Sequence, residues 1–269
     1  MKVIVGQCLK IFFKGESMHP VNKTLALIGL QLSKVTKANV PRDKQEEEFR
    51  KKYDLDFEQI KNNQRGFAVH KAYRYQVGEH PKTVSEVEFE FVASHLYKEK
   101  PFNILDIGSY RDFILGLLAH YDVTTVDIRN RKPILDNETV VNCDAKVLNF
   151  PDNAFDAVTT IEALPHIGLG RYGDELDLDA DIKAFREMVR VLKHGGVLLF
   201  TTAITGAKKS IAWNARRNYS YDMIKEFCNG LDLVEEKFLD RESIRLIARE
   251  ELTTDPIRFN YYLGCWRKP

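Results

Sequence analysis

The chain has 269 residues, 44% of them hydrophobic and 29% charged, with 40 Lys and Arg against 39 Asp and Glu. That length suits one large domain or a domain with an extension, and the apolar content lets it bury a core without disulfides or a structural metal. Near-neutral charge argues against a nucleic-acid surface spread over the whole protein. The four cysteines, Cys8, Cys143, Cys228 and Cys265, form no C-x-x-C pair, which excludes the common zinc and redox motifs.

Residues 1–42 carry seven Lys and Arg and one acid, Glu16. The stretch 24–33 reads as a short helix, and Pro41 then interrupts. Residues 43–62 are charged, with apolar residues at Phe49, Tyr53, Phe57 and Ile60, a spacing that predicts an amphipathic helix. Residues 66–82 are aromatic, basic and punctuated by turns. A helical pattern resumes over 83–98 through Val87, Phe91, Val92 and Leu96.

From Pro101 the texture changes to short apolar runs alternating with helical ones. Strands are expected at 103–107, 122–128, 139–143, 155–161, 197–202, 231–239 and 259–266. Helices are expected at 111–120, at 181–193 with a stop at Gly195-Gly196, and at 221–228 with Ser220 as N-cap. This predicts an α/β fold: a doubly wound, mostly parallel seven-stranded sheet over 66–269, with a helical extension over 1–65.

In an open α/β sheet, ligands bind at the carboxyl ends of the strands. The first strand ends in Asp106-Ile107-Gly108-Ser109, where a glycine lets the backbone turn sharply and approach a ligand. Asp127 ends the second strand, about 20 residues on, where an acid is placed for a ribose diol. Cys143-Asp144-Ala145 follows the third strand, and a carboxylate there suits an adenine amino group. The second and third glycines of G-x-G-x-x-G are missing, which argues against a bound pyrophosphate and a nicotinamide oxidoreductase but not against a nucleoside without phosphates. Cys143 reads as packing rather than chemistry.

The series NILDIGS, TTVDI, NCDA, NFPDNAFDAVTTIEAL and VLKHGGVLLFTT resembles the class I S-adenosylmethionine (SAM)-dependent methyltransferases over about residues 101–205. PHIGLGRYGDELD and WNARRNYS are similar to a branch found in bacterial surface-polysaccharide gene clusters. The resemblance implies SAM as cofactor and a Rossmann-like methyltransferase fold. It sets Asp106, Gly108 and Ser109 at the methionine end, Asp127 and Ile128 at the ribose, Asp144 and Ala145 at the adenine, and Glu162 in the methyl-donor pocket. SYRD replaces the usual second and third glycines, leaving the methionine end to Ser109, Tyr110 and their neighbours. Asp106 and Asp144 alternatively cap turns, and Asp127 is alternatively an ordinary strand-end acid.

The implied reaction is O-methylation of a small polar acceptor: a sugar, a sugar nucleotide or a phosphorylated glycan precursor. Methyl transfer to a hydroxyl needs a base, and His166 is the candidate because its ordinary pKa lies near neutrality. Arg171 and Tyr172 of the same loop are expected at the acceptor, with Tyr172 and Asp174 as second choices for the base. Arg216, Arg217 and Tyr219 are expected to grip an anionic part, since guanidinium forks suit phosphate. Arg74 and Tyr75 read as a lid or as surface packing. The acids at 174, 175, 177, 179 and 181 read as a solvated helix entrance or a divalent-metal site, and no metal is expected. N- or C-methylation of a metabolite, or a SAM-binding partner without transferase activity, remain as alternatives. No run reaches the ~18–20 apolar residues of a membrane helix, and residues 3–13 are interrupted by Gln7 and Lys10, so a cytoplasmic protein is expected. The basic segment 1–42 suits either peripheral contact with a membrane or partner, or packing on the main domain.

Overall fold

The computed structural model describes residues 44–62, 65–76, 82–133, 135–255 and 257–269. The basic segment 1–42, with the short helix expected at 24–33, lies outside the described residues. The chain divides into two units, Met1–Glu79 and His80–Pro269.

In the first unit, helix α1 spans Lys44–Asn62. Glu46 and Glu47 in its first turn and Lys61 in its last complement the helix dipole. Its expected apolar stripe is used: Phe49 meets the rings of Tyr73 and Tyr75 edge-on at 6.0 and 5.1 Å, and Tyr53 meets Tyr73 at 5.2 Å. Lys71 Nζ bonds Asp54 at 2.8 Å. No residue of α1 is fully buried.

The second unit opens with helix α2, Val84–Glu99. Thr83 accepts from the Glu86 amide, and the Glu86 carboxylate accepts from the Thr83 amide, closing a capping box. Eight strands then form one sheet: β1 (Asn103–Ile107), β2 (Asp122–Asp127), β3 (Thr139–Asn142), β4 (Phe155–Ile161), β5 (Leu192–Ile204), β8 (Asp232–Asp240), β9 (Arg245–Ile247) and β10 (Asn260–Arg267). Between β5 and β8, a hairpin of β6 (Ser210–Ala212) and β7 (Arg216–Asn218) stands apart as a two-stranded sheet. The main sheet runs in the order β3-β2-β1-β4-β5-β10-β8-β9. β3, β2, β1, β4 and β5 pair in parallel, and β10 runs antiparallel between β5 and β8.

Alternate residues of each central strand feed opposite faces. Leu105, Ile107, Leu198 and Phe200 pack against helix α4 (Ala180–Val191) and helix α5 (Tyr221–Phe227). Ile104, Val197 and Leu199 pack against α2 and helix α3 (Arg111–Leu117). Helices on both faces make the fold doubly wound, as expected. Because β1 leads to β2 on one side and pairs with β4 on the other, a crevice opens beyond the carboxyl ends of β1 and β4.

Three details correct the sequence reading. The sheet has eight strands rather than seven, because the three residues of β9 are too few to show a period of two. The β6–β7 hairpin occupies a stretch where no strand is expected. Gly195-Gly196 does not stop a helix: α4 ends at Val191, and the pair lies inside β5, whose register against β4 jumps from Phe155↔Leu192 to Ala157↔Val197. The capped helix after Ser220 is present, with Ser220 Oγ accepting from Met223 N.

Gly264 shows why β10 tolerates no side chain at its midpoint. A Cβ there would come within 2.5 Å of the Tyr262 ring and 2.9 Å of Trp266 Nε1. The two rings close over the glycine, and Trp266 Nε1 donates to Tyr262 Oη at 2.9 Å. We expect Gly264→Ala to lower the unfolding free energy by about 1–3 kcal/mol through overpacking. A denaturant titration checks this, and an unchanged midpoint would show that the rings move aside freely.

Candidate ligand-binding site

The turn after β1 is built by hydrogen bonds to a carboxyl with no solvent exposure. Asp106 Oδ2 accepts from the Ser109 amide at 3.2 Å, and Oδ1 accepts from Thr159 Oγ1 of β4 at 2.9 Å. Burial pushes this carboxyl up to about 6, against the pull of those bonds and of Arg131. Ser109 Oγ in turn accepts from the Ile161 amide at 2.9 Å. Asp106 therefore shapes the turn and does not line the crevice, which corrects the expectation that it borders a ligand. Gly108 at its apex has φ +65°, and a Cβ on it would lie 3.0 Å from Ala163 Cβ.

Beyond this turn lies a cavity of about 350 Å³. Gly108, Ser109, Asp127, Ile128, Asp144, Ala145 and Glu162 all line it, as do His166, Arg171 and Tyr172. The strand-end residues named from the sequence are thus brought together. Asp127 is 4% exposed, and its carboxylate is held by Arg129, with Nε and the amide at 2.9 Å from Oδ1 and Nη2 at 2.7 Å from Oδ2. Burial alone would raise this group, but the Arg129 bonds outweigh it and hold the carboxyl below its ordinary value. Asp144 Oδ1 accepts from the Lys146 amide at 2.9 Å.

Glu162, the first residue after β4, has φ +54°, a left-handed backbone that costs energy for any residue with a Cβ. The residue as a whole is half-buried, but its Oε1 is sealed from solvent with no hydrogen-bond partner. Glu88 of α2 is 1% exposed and accepts from Thr201 Oγ1 at 2.5 Å. Burial, then the charge of Glu88, drives Glu162 well above its ordinary value, and burial pushes Glu88 up to about 7. Glu162 is thus a strained, desolvated acid facing a cavity, the pattern of a functional position.

The loop after β4 is tied by Asp174, whose carboxylate accepts from the amides of Gly168, Gly170 and Tyr172 at 2.7, 3.3 and 3.0 Å. His166 Nδ1 faces the Ala215 carbonyl, so Nδ1 carries the hydrogen and Nε2 keeps the lone pair. Burial first, then the charges of Arg171, Arg216 and Arg217, lowers His166 to about 4. The Tyr172 ring lies between two guanidiniums, Arg129 Cζ at 5.0 Å and Arg171 Cζ at 5.2 Å from its centroid.

Two expected acceptor residues are used elsewhere. Arg217, 5% exposed, donates to the carbonyls of Ile167, Asp177 and Leu178 at 2.6, 3.2 and 3.2 Å and pairs with buried Asp181 at 3.4 Å. Tyr219 is wholly buried and donates to Asp181 Oδ2 at 2.9 Å. Neither lines the cavity. The acidic run is likewise occupied: Asp177 is bound by Lys183 and Lys146 at 2.8 and 3.4 Å and pulled down to about 2, chiefly by Lys183. Among the described residues no group of three or more His, Cys, Asp or Glu is placed to hold a metal.

Sequence reasoning missed Glu88, Arg129 and Arg131. Glu88 had a signal, since it falls with Val84, Val87, Phe91 and Val92 on the apolar face of α2, where an acid needs a reason. Arg129 and Arg131 had none beyond following a strand-end acid.

The family described as "Caenorhabditis protein of unknown function, DUF268" matches residues 123–257, half of the chain. The chain belongs to this DUF268 family. The match runs from β2 through β9 and so takes in Asp127, Asp144, Glu162 and His166. No curated protein matches the sequence. Solved structures share the fold over much of the chain. The [4+2]-cyclase SpnF does so with TM-score 0.52 and 16% identity, over 81% of this chain and 94% of its own. Burkholderia thailandensis 1,6-didemethyltoxoflavin-N1-methyltransferase, with bound 1,6-didemethyltoxoflavin and S-adenosylhomocysteine, aligns with TM-score 0.50 and 16% identity over 82% of this chain and 89% of its own. The N-methyltransferase NodS from Bradyrhizobium japonicum WM9, in complex with S-adenosylhomocysteine, gives TM-score 0.50 and 18% identity over 69% and 87%. This DUF268 chain has the α/β fold of these proteins, and fold alone does not set chemistry.

Removing Arg217 strands the buried Asp181 carboxylate. We expect Arg217→Ala to cost about 3–5 kcal/mol of stability, as for any broken buried pair. Urea unfolding measures it, and a loss under about 1 kcal/mol would return Arg217 to the list of free ligand contacts.

Proposed function

We propose that this protein is a SAM-dependent methyltransferase acting on a small polar acceptor. The observation that carries the reading is the lining of one cavity. It begins at Asp144 and Ala145, passes Asp127 and the Gly108 turn, and reaches the unpartnered Glu162 carboxyl. The order matches the parts of a nucleoside with a charged tail: base, ribose, then a cationic centre. The missing phosphate-loop glycines suit a ligand without a pyrophosphate. The methyltransferases of the same fold crystallised with S-adenosylhomocysteine support it.

In this reading Asp127 binds the ribose hydroxyls, which requires the half-exposed Arg129 side chain to swing away from the carboxylate. Gly108 leaves room for the ligand to approach the backbone. The bound cofactor supplies a methyl group already activated on a sulfonium. The protein's remaining work is to align the acceptor, exclude water and accept a proton. His166 is the proton acceptor: its Nδ1–H is fixed on Ala215, and at about 4 its Nε2 is unprotonated throughout the neutral range. A group so far below neutrality is a weak base, so it serves by position more than by basicity. The acceptor atom is then a hydroxyl, as on a sugar or a phosphorylated polyol.

Incubation with SAM and a small-molecule extract, read as S-adenosylhomocysteine formed, tests the activity. We expect His166→Ala to cut turnover about 10²-fold, the lower range for general-base loss, while SAM binding persists. Unchanged turnover would assign the methylated atom to an amine, which needs no base. No product from any extract would reject the transferase reading.

The Glu88–Glu162 pair gives a second expectation. Both carboxyls are raised by burial, so the pair loses a proton as pH rises through about 7 and becomes more negative above it. SAM is cationic and S-adenosylhomocysteine is neutral at sulfur. The ratio of their affinities should therefore rise between pH 6 and pH 8 by about fivefold, roughly 1 kcal/mol of charge interaction. Parallel titrations at the two pH values measure it, and a flat ratio would place the sulfonium away from Glu162.

A further inference from the structure

Two guanidiniums of the second unit, Arg216 and Arg241, have no acid of their own. Arg216 belongs to β7, and Arg241 directly follows β8. Both lie against the buried ring of Phe259, with Cζ 3.7 and 4.7 Å from its centroid. Arg216 Nε donates to Asn218 Oδ1 at 3.1 Å. Among the described residues no carboxylate oxygen lies within 4.0 Å of either guanidinium, whereas Arg190, Arg258 and Arg267 of the same unit each have one. The two charges repel each other, and Arg216 is also partly desolvated. Holding two like charges together in this way costs energy unless something negative completes them.

Topology brings this pair to the same ends of the strands as the site. β8 runs parallel to β5 and β4, so Arg241 emerges at the same sheet edge as Glu162, and Phe259 precedes β10 at that edge. Both arginines act electrostatically on Glu162, Arg216 also acts on His166, and Arg241 acts on Tyr261. Both guanidiniums lie within cation–π distance of Phe259, and the in-plane N–H groups of such a fork match an oxyanion.

We propose that Arg216 and Arg241, stacked on Phe259, form an oxyanion-binding subsite that holds a phosphate or carboxylate of the acceptor beside Glu162. The word acceptor rests on the methyltransferase reading; the anion subsite does not. The pairing replaces the Arg216–Arg217 grip expected from sequence, because Arg217 is buried in loop carbonyls while Arg241 is exposed.

The test is a titration of the full chain with inorganic phosphate, followed through the arginine Nε resonances and repeated with S-adenosylhomocysteine present. We expect saturable, millimolar binding that weakens at least fivefold in Arg241→Gln and in Arg216→Lys, the second keeping the charge but losing the fork. Thermal unfolding of both variants confirms that they fold. Absence of saturable binding, or equal binding by wild type and both variants, overturns the subsite. Phosphate binding lost in the variants, in a protein that never binds S-adenosylhomocysteine, upholds the subsite and overturns the methyltransferase reading. Loss of S-adenosylhomocysteine binding in Arg241→Gln would overturn the placement by showing that the arginine belongs to the nucleoside end.

Discussion

The Asp106 carboxyl, buried without a countercharge of its own, is what the rest of the site depends on. It takes the Ser109 amide with one oxygen and the Thr159 hydroxyl with the other, so it fixes the turn after β1 to the neighbouring strand β4. Ser109 Oγ on the Ile161 amide and Thr160 Oγ1 on the Ile107 carbonyl, at 3.0 Å, add two more ties between the same strands. These four bonds replace what extra glycines do elsewhere: they hold a sharp turn in place by side-chain hydrogen bonds rather than by backbone freedom. Gly108 lies close against Ala163, and Glu162 holds a left-handed backbone at the opening of the crevice.

Around that frame the charges fall into two sets. Near β2, Asp127 is neutralised by Arg129 and Arg131, at 2.7 and 3.4 Å from Oδ2. Near β4 and β5, Glu88 and Glu162 form no salt bridge among the described residues, and burial raises both carboxyls. A ligand with a neutral, hydroxyl-rich middle and a cationic end satisfies both sets. A dinucleotide does not, since the turn offers no glycine-lined cradle for a pyrophosphate. Arg171, Tyr172 and Arg129 close the side of the crevice by stacking, which joins the loop after β4 to the end of β2.

Much of this was legible in the residues. Parallel strands buried on both faces read as continuous apolar runs, so NILDI and VLLFTT announced themselves, and the positions at their carboxyl ends followed from the general rule for open sheets. Asp127 and Asp144 were found by that rule, Glu162 through the family resemblance, and all three line one cavity. The late residues were harder. Arg216, Arg217 and Tyr219 alternate along a short strand, so neighbours in sequence face different surroundings, and nothing in RRNYS tells which arginine is buried. Asp106 reads like a ligand-contacting acid because the sequence does not show Thr159 beneath it. Arg241 and Phe259 are brought to each other by the antiparallel pairing of β10 with β8, which no local pattern encodes.

The central claim is that the cavity holds an adenosyl ligand through Asp127. Calorimetric titration with S-adenosylhomocysteine, in wild type and in Asp127→Ala shown to be folded, tests it most directly. Saturable binding by the wild type that weakens at least about tenfold in the variant, the loss expected for hydrogen bonds to a charged group, is the predicted result. No binding by the folded wild type, or equal binding by both proteins, would contradict it.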